Sequence, residues 1–290
     1  MSWSIAGPQD LYAILEFLKN REHTCVPFVS HLLKDGTPSF PSKIKKRIFK
    51  LEGHRDRGTI SGLVLQTTFG FVFPVLDTAE AEREPRLGQL SRRLRKGFFQ
   101  SFTVMGRKSD VARIEKLLGR EPDPQVNYYI MARVGGPPPR SAPSPAGYTF
   151  RRADSRDLDA LLPLQAAYER EEVIVDGREV NHNVVYHNMR TALENHITYV
   201  GERFDGTPVA KASTNARGLT YDQIGGVYTV PEERSKGIAH ELMRYLMEDV
   251  HAAGKNTTLF VKQQNTPALS MYRRLGFEQK NEFAVSYYHN

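Results

Sequence analysis

The 290-residue sequence holds a single cysteine, Cys25, and a single tryptophan. One cysteine excludes an intrachain disulfide and suits a reducing compartment, so a cytoplasmic location is expected. Cys25 lies in the apolar run TCVPFV and reads as a small core residue rather than a nucleophile. Long apolar runs are also missing. A membrane-spanning helix needs about 20 consecutive apolar residues. The nearest approach, SGLVLQTTFGFVFPVL, is broken by Gln66, Thr67, Thr68, Gly70 and Pro74, and reads as two strands; no membrane partner is expected. The start MSWSIAGPQD has neither a basic region nor a long apolar core, so no secretory signal is expected there. His182 and His187 stand at i and i+5, off one helix face, and no metal site is expected from them.

What is present is ordinary for a globular protein: 40% hydrophobic and 25% charged residues, on a chain long enough for two domains. The net charge of +7 is uneven. Residues 1–146 carry 23 Lys and Arg against 14 Asp and Glu, whereas residues 147–290 carry 17 against 19. The basic runs KIKKR and RRLRKG could meet phosphates, RNA or anionic lipid. No aromatic-basic interleaving or nucleic-acid motif accompanies them, so they read as solvated faces and no nucleic-acid partner is expected. The oligomeric state is left open.

The stretch VGGPPPRSAPSPAG divides the chain, because its prolines lack amide donors and favour extended backbone. The expected division is a first domain over 1–133, a semi-rigid exposed linker over 134–147 and a second domain over 148–290. The second domain alternates its elements. YTFRRA reads as a strand, DSRDLDALLPLQAAYEREE as a helix with Asp154 or Ser155 at its N-cap, and NHNVVYHNMRTALENH as another helix. ITYVGERFDGTPVAKAST reads as a hairpin turning at Asp205-Gly206, and YDQIGGVYTV as a strand bulged at Gly225-Gly226. A helix follows with Ile238, Leu242, Leu246 and Val250 as its apolar stripe and Gly254 at its end. NTTLFV is a strand, Thr266 with Pro267 opens the next helix, Gly276 closes it, and EFAVSYY completes the sheet. In the first half RIFKLEG, GTISGLVLQTT and GFVFPVL read as a meander. DLYAILEFLKN, RLGQLSRRLRKG and SDVARIEKLLG read as helices, and FQSFTVMG and VNYYIMAR as strands. The similar order in the two halves suggests a diverged duplication around mixed α/β sheets.

The turn VPEERSKGIA delivers several free amides to the start of a helix, and Gly237 and Ala239 keep side chains away from them. Free amides and the helix dipole suit an anion such as pyrophosphate. The pattern is neither a Walker A loop nor the dinucleotide G-x-G-x-x-G. A close helix–sheet contact would also favour small residues here.

Downstream, NTPALSMYRRLGF adds a polar Asn265 at a strand end and Tyr272 within a helix finishing in Gly-Phe. Together these segments resemble the GNAT superfamily of acyl-CoA-dependent N-acyltransferases. VPEERSKGIA matches V-x-P-x-x-R-x-x-G-x-A/G, and the later segment matches N-x-x-A-x-x-x-Y-x-x-x-G-F, in the family's order and spacing. EREEV, VAKAS and GGVYTVP resemble a bacterial tandem subgroup, in which an active domain follows a degenerate GNAT-like half. The resemblance implies two GNAT-like α/β domains, each a central mixed, mostly antiparallel sheet flanked by helices. The first half has PVLDTAEAEREPRLGQL where a phosphate loop would stand, and it is not expected to bind coenzyme A in the usual manner.

The implied reaction is N-acetyl transfer from acetyl-CoA to a primary amine, small-molecule or peptide, by direct attack on the thioester. The resemblance assigns cofactor contacts to backbone groups of Tyr228, Thr229 and Val230, to the turn Arg234, Ser235, Lys236, Gly237, Ile238, Ala239 and His240, and to Asn265. It makes Tyr272 the general acid; without the motif Tyr272 would read as a buried aromatic. The base is open. Relatives place a Glu on the strand before the loop, where this chain has Tyr221, Asp222 and Gln223. Glu171 and Glu172 are the candidates for base or cation binding, against a reading as solvated carboxylates or a water relay. The alternative function is a non-catalytic acyl-CoA sensor or scaffold.

Overall fold

The computed structural model describes residues 3–41, 46–52, 59–77, 90, 94, 101–139, 143–175 and 179–289. The chain forms two compact units. The first comprises Met1–Ile130, Val261–Gln264 and Gln279–Asn290; the second comprises Met131–Phe260 and Asn265–Glu278. Each has a mostly antiparallel sheet flanked by helices.

In the first unit β1 (Ser4–Ile5) precedes α1 (Leu11–Lys19) and α2 (Glu22–Ser30), then the short hairpin β2 (Leu33–Lys34) and β3 (Thr37–Pro38). The expected meander forms as β4 (Lys46–Glu52), β5 (Ile60–Thr67) and β6 (Phe71–Leu76), antiparallel throughout. β6 then pairs in parallel with β7 (Ser101–Arg107), which leads into α3 (Lys108–Leu118) and β8 (Gln125–Arg133). α2 escapes a sequence reading because Pro27 lies inside it and Cys25 breaks it with φ of −143°. Cys25 is buried, and burial pushes its thiol far above the usual range, which suits a core residue. The helix expected at RLGQLSRRLRKG and the acid-rich stretch before it lie outside the described residues, except for the buried Leu90 and Leu94.

The second unit repeats that order. β9 (Tyr148–Arg152) leads to α4 (Leu158–Tyr168), whose N-terminus is reached through a 3-10 turn capped by the Asp154 carboxylate on the Arg156 amide. α4 runs into a π-helical turn, Glu169–Val173, and α5 (His182–Asn195) follows. The hairpin β10 (Thr198–Arg203) and β11 (Pro208–Arg217) turns at Gly206, with φ of 83°. β12 (Tyr221–Thr229) pairs antiparallel with β11, with register shifts on both sides of Ser213, and parallel with β13 (Asn256–Lys262). α6 (Ile238–Ala252) lies between them, and α7 (Thr266–Arg274) follows β13. Leu161, Leu164, Met189, Val200 and Tyr228 form the core against α4 and α5, while the α6 stripe Ile238, Leu242, Leu246 and Val250 is buried.

Three details differ from the sequence reading. Asn265, not Thr266, caps α7: its Oδ1 accepts from the Ala268 amide at 3.2 Å. EFAVSYY does not close the second sheet. It belongs to β14 (Glu278–His289), which pairs antiparallel with β7 in the first unit, from Phe283↔Arg107 to His289↔Ser101. Alternating burial alone cannot say which sheet receives a strand. The proline-rich stretch, expected as a semi-rigid exposed linker, is mostly exposed over its described part but is braced at its start. The Arg133 guanidinium donates to the carbonyls of Gly136 at 2.8 Å and Pro137 at 2.7 Å, and Pro138 is buried.

Candidate functional site

β12 and β13 are paired only from Tyr221↔Asn256 to Ile224↔Leu259, although β12 runs on to Thr229. The strands therefore part beyond Ile224, where Gly226 takes a left-handed φ of 61°. Past this splay the chain turns through Pro231–Glu233 into the loop that begins α6. Ser235 and Gly237 are both left-handed there, with φ of 64° and 83°. Gly237 is thus the N-cap of α6 and not a member of its first turn. A left-handed backbone explains the glycine better than helix packing does, since a Cβ is strained at that φ. A Cβ at Gly237 would also stand 3.5 Å from Pro145 Cγ, an ordinary contact.

The first amides of a helix have no partner within it. In α6 the first to bond back is that of Glu241, to Gly237 O at 3.1 Å. The amides of Ile238 and Ala239 therefore stand at the helix start beside the left-handed loop, and such N–H groups suit a phosphate oxygen. Burial holds the His240 imidazole below its usual range. Lys236 donates to Glu233 at 2.6 Å, and Glu233 also receives Tyr148 Oη and the Arg203 guanidinium. These partners hold the Glu233 carboxyl down at about 2. The loop is braced from below by this carboxylate.

The candidate carboxylates have different surroundings. Glu171 receives Arg234 Nη2 at 2.7 and 3.0 Å and Tyr228 Oη at 3.1 Å. Arg234 Nε donates in addition to the Thr229 carbonyl at 3.0 Å. Glu171 is therefore neutralised by the loop arginine and fixes the loop to the π-turn. Glu172 accepts from Asn265 Nδ2 at 3.3 Å. Asn265 thus uses its oxygen on its own helix and its amide on Glu172. Val230 is engaged too: its N–H donates to Val209 O at 2.9 Å and its carbonyl accepts from the Glu233 amide at 3.0 Å. Tyr272 is buried on α7, edge-on to Phe277 with ring centroids 5.9 Å apart. Burial, with Tyr168 and Glu172 nearby, pushes its phenol above the ordinary tyrosine range and keeps it protonated.

Sequence reasoning missed the residues beneath the splay. Lys211 on β11 is 1% exposed, and its Nζ donates to the Gly226 carbonyl at 2.9 Å. The Tyr168 phenol accepts from the Gly226 amide, so the bulge is held from both ends. Glu169, buried, receives Gln165 at 2.8 Å and Asn188 at 2.9 Å. The available signal was a lysine between two alanines in VAKAS, inside a strand whose neighbours are apolar on both sides. Among the described residues no cluster of His, Cys, Asp and Glu could hold a metal, and no helix is long and apolar enough to cross a membrane.

Comparison with known proteins agrees with this layout. Residues 161–277 match the sequence profile of the Acetyltransferase (GNAT) family. Among solved structures, a Drosophila protein superposes with a TM-score of 0.65 at 12% identity, covering 98% of each chain. A GCN5-related N-acetyltransferase from Sphaerobacter thermophilus gives 0.59 at 16% identity, covering 99% of this chain and 95% of its own. A tandem GNAT protein from the clavulanic acid biosynthesis pathway gives 0.57 at 12% identity, covering 99% and 98%. At these identities the likeness is one of fold. No curated protein sequence matches the chain.

Proposed function

Residues 161–277 match the profile of the Acetyltransferase (GNAT) family, and from that premise we propose that the second unit transfers an acetyl group from acetyl-CoA to a primary amine. The observation that carries the proposal is the loop Arg234–Gly237 with its two left-handed residues and the first-turn amides of Ile238 and Ala239 behind it. Those amides would hold the pyrophosphate. Coenzyme A supplies the thioester whose carbonyl the amine attacks, and the parted strands give its arm room beside Tyr228 and Thr229. Val230 braces the turn instead of facing the arm. Asn265 would exchange its Glu172 contact for the pantetheine amide. Tyr272, held protonated, would give its proton to the leaving thiolate. Glu172, which lies near Tyr272, would face the amine, and Glu171 would position Arg234. The acceptor is a small molecule or a peptide amine, and the reaction belongs in the cytoplasm.

Calorimetry with coenzyme A tests the binding half of this reading. One site per chain is expected, with binding abolished in Gly237→Glu, because the side chain adds negative charge at a strained φ in the anion site. Two sites per chain, or normal binding by the variant, would refute it. Tight binding with no turnover on any amine would favour an acyl-CoA sensor.

A further inference from the structure

Glu171 is paired with Arg234, and Glu172 is given above to facing the amine, which leaves the group that takes the ammonium proton to be found. Lys211 lies beneath the bulge where the strands part. Lysines are almost never fully buried without a carboxylate partner. Lys211 is buried, and it meets a neutral carbonyl and an aromatic face: Gly226 O at 2.9 Å and the Tyr168 ring at 4.8 Å. The nearest carboxylate from the π-turn, Glu169, is satisfied by the amides of Gln165 and Asn188 and reaches Lys211 only through space. From β12, Tyr228 lies opposite Lys211 in register; from β10, the facing residue is the uncharged Val200. An aliphatic residue would fill this space without desolvating an amine, so a lysine kept here has chemistry to perform.

We propose that Lys211 is the proton acceptor of the amine site, resting on the acyl-transfer reading given above. Lys211 is on β11, and its Nζ reaches the Gly226 carbonyl, at the bulge where β12 leaves β13. The neutral amine has two N–H bonds and a lone pair. One N–H stays on Gly226 O, and the lone pair takes a proton from the substrate ammonium, leaving Lys211 as –NH3+. The freed amine uses its own lone pair to form the N–C bond to the thioester carbonyl carbon. The C–S bond breaks, the sulfur leaves with the electron pair, and Tyr272 protonates it. The nitrogen loses a second proton as the amide forms, which restores the Tyr272 phenol, and Lys211 returns its proton to solvent. Burial supports this role, since it lowers the Lys211 amine to about 7, against a raising influence from Glu169. At neutral pH a large fraction is then free base.

The test compares wild type with Lys211→Met and Lys211→Arg, using acetyl-CoA and two panels of acceptors. One panel holds alkylamines, protonated at pH 7; the other holds arylamines, already neutral there. With alkylamines both variants should lose roughly 100-fold or more in kcat/KM, together with the rise in rate through pH 7, while coenzyme A affinity stays unchanged. With arylamines Lys211→Met should lose far less, because no proton has to be removed before attack. Equal losses on both panels, or an unchanged pH profile, would overturn the proposal, since a structural lysine would not discriminate the amines. Full-chain NMR with ε-13C-lysine gives an answer independent of the acceptor: one lysine should titrate near pH 7 and vanish in Lys211→Met, and a Lys211 that stays protonated to pH 9 would sink the idea. Failure of wild type to bind coenzyme A would instead remove the acyl-transfer reading itself.

Discussion

Replacing Lys211 by methionine should make the protein more stable while making it a worse catalyst. An ordinary lysine amine titrates at 10.5, and burial brings Lys211 to about 7. The folded state therefore binds this proton less readily than the unfolded chain. At about 1.4 kcal/mol per pH unit, the gap penalises folding by about 5 kcal/mol below pH 7 and by about 4 kcal/mol at pH 7. Methionine keeps most of the volume and removes the charge. It also removes the donor to the Gly226 carbonyl, at a cost of about 1 kcal/mol, and leaves a small void costing about the same. A net gain of about 2 kcal/mol remains at pH 7, enough to raise Tm by roughly 4–8 °C in a chain of this size. The sign with pH is fixed. The unfolded state binds more protons between 7 and 10.5, so the wild type gains stability across that range and the advantage of the variant shrinks to nothing or reverses by pH 10. Urea denaturation of both proteins at pH 7 and pH 10 reads this directly. A variant less stable than wild type at pH 7, or an advantage that does not change with pH, would refute the reasoning.

Tyr272→Phe should lower kcat by about 100- to 10,000-fold and leave coenzyme A affinity nearly unchanged, because a proton donor acts mainly in the transition state; single-turnover assays and calorimetry check the two halves, and unchanged kcat would return Tyr272 to a packing role. The Glu233 carboxyl, held at about 2 by Lys236, Tyr148 and Arg203, has a folded pKa below its ordinary 4.5. Its contribution is therefore fully present above pH 4.5 and lost as pH falls towards 2. Glu233→Gln should flatten that acid limb in a denaturation series from pH 6 to pH 2.5; an identical limb in both proteins would show that the brace is energetically idle.

The parts of the second unit legible in the sequence are those set by local chemistry. Asp205-Gly206 announces a hairpin, paired glycines announce a bulge, and the stripe from Ile238 to Val250 announces its helix, because each depends on neighbours in the chain. Gly237 was legible as a residue that must be small, but its left-handed φ was not, since sterics alone also allowed a close packing contact. Asn265 and Thr266 are both good caps, and only the backbone shows that Asn265 makes the bond to Ala268. The carboxylates of EREEV could not be told apart from one another. A π-turn gives Glu169 to the interior, Glu171 to Arg234 and Glu172 to Asn265, and consecutive residues in a helical reading carry no such distinction. Lys211 was illegible for a related reason: nothing in VAKAS says that its head group ends beneath Gly226.

The strand β14 has a consequence for how the protein is made. It supplies the partner of β7, its Tyr288 stacks on Phe102 with ring centroids 4.4 Å apart, and its Ala284 lies in the same core. β14 follows the segment that builds most of the second unit, yet it pairs with β7 and belongs to the first unit. A ribosome adding roughly 5–20 residues per second therefore leaves β7 with an open edge while the second-unit segment between β7 and β14 is made. Open edges invite pairing with other chains. Among the described strands, the Pro74 in β6 and the glycine at 106 in β7 are poor templates for such pairing, because one lacks a donor and the other lacks a side chain to pack. A nascent chain stalled short of Phe283 would carry the first-unit strands with β7 still waiting for β14.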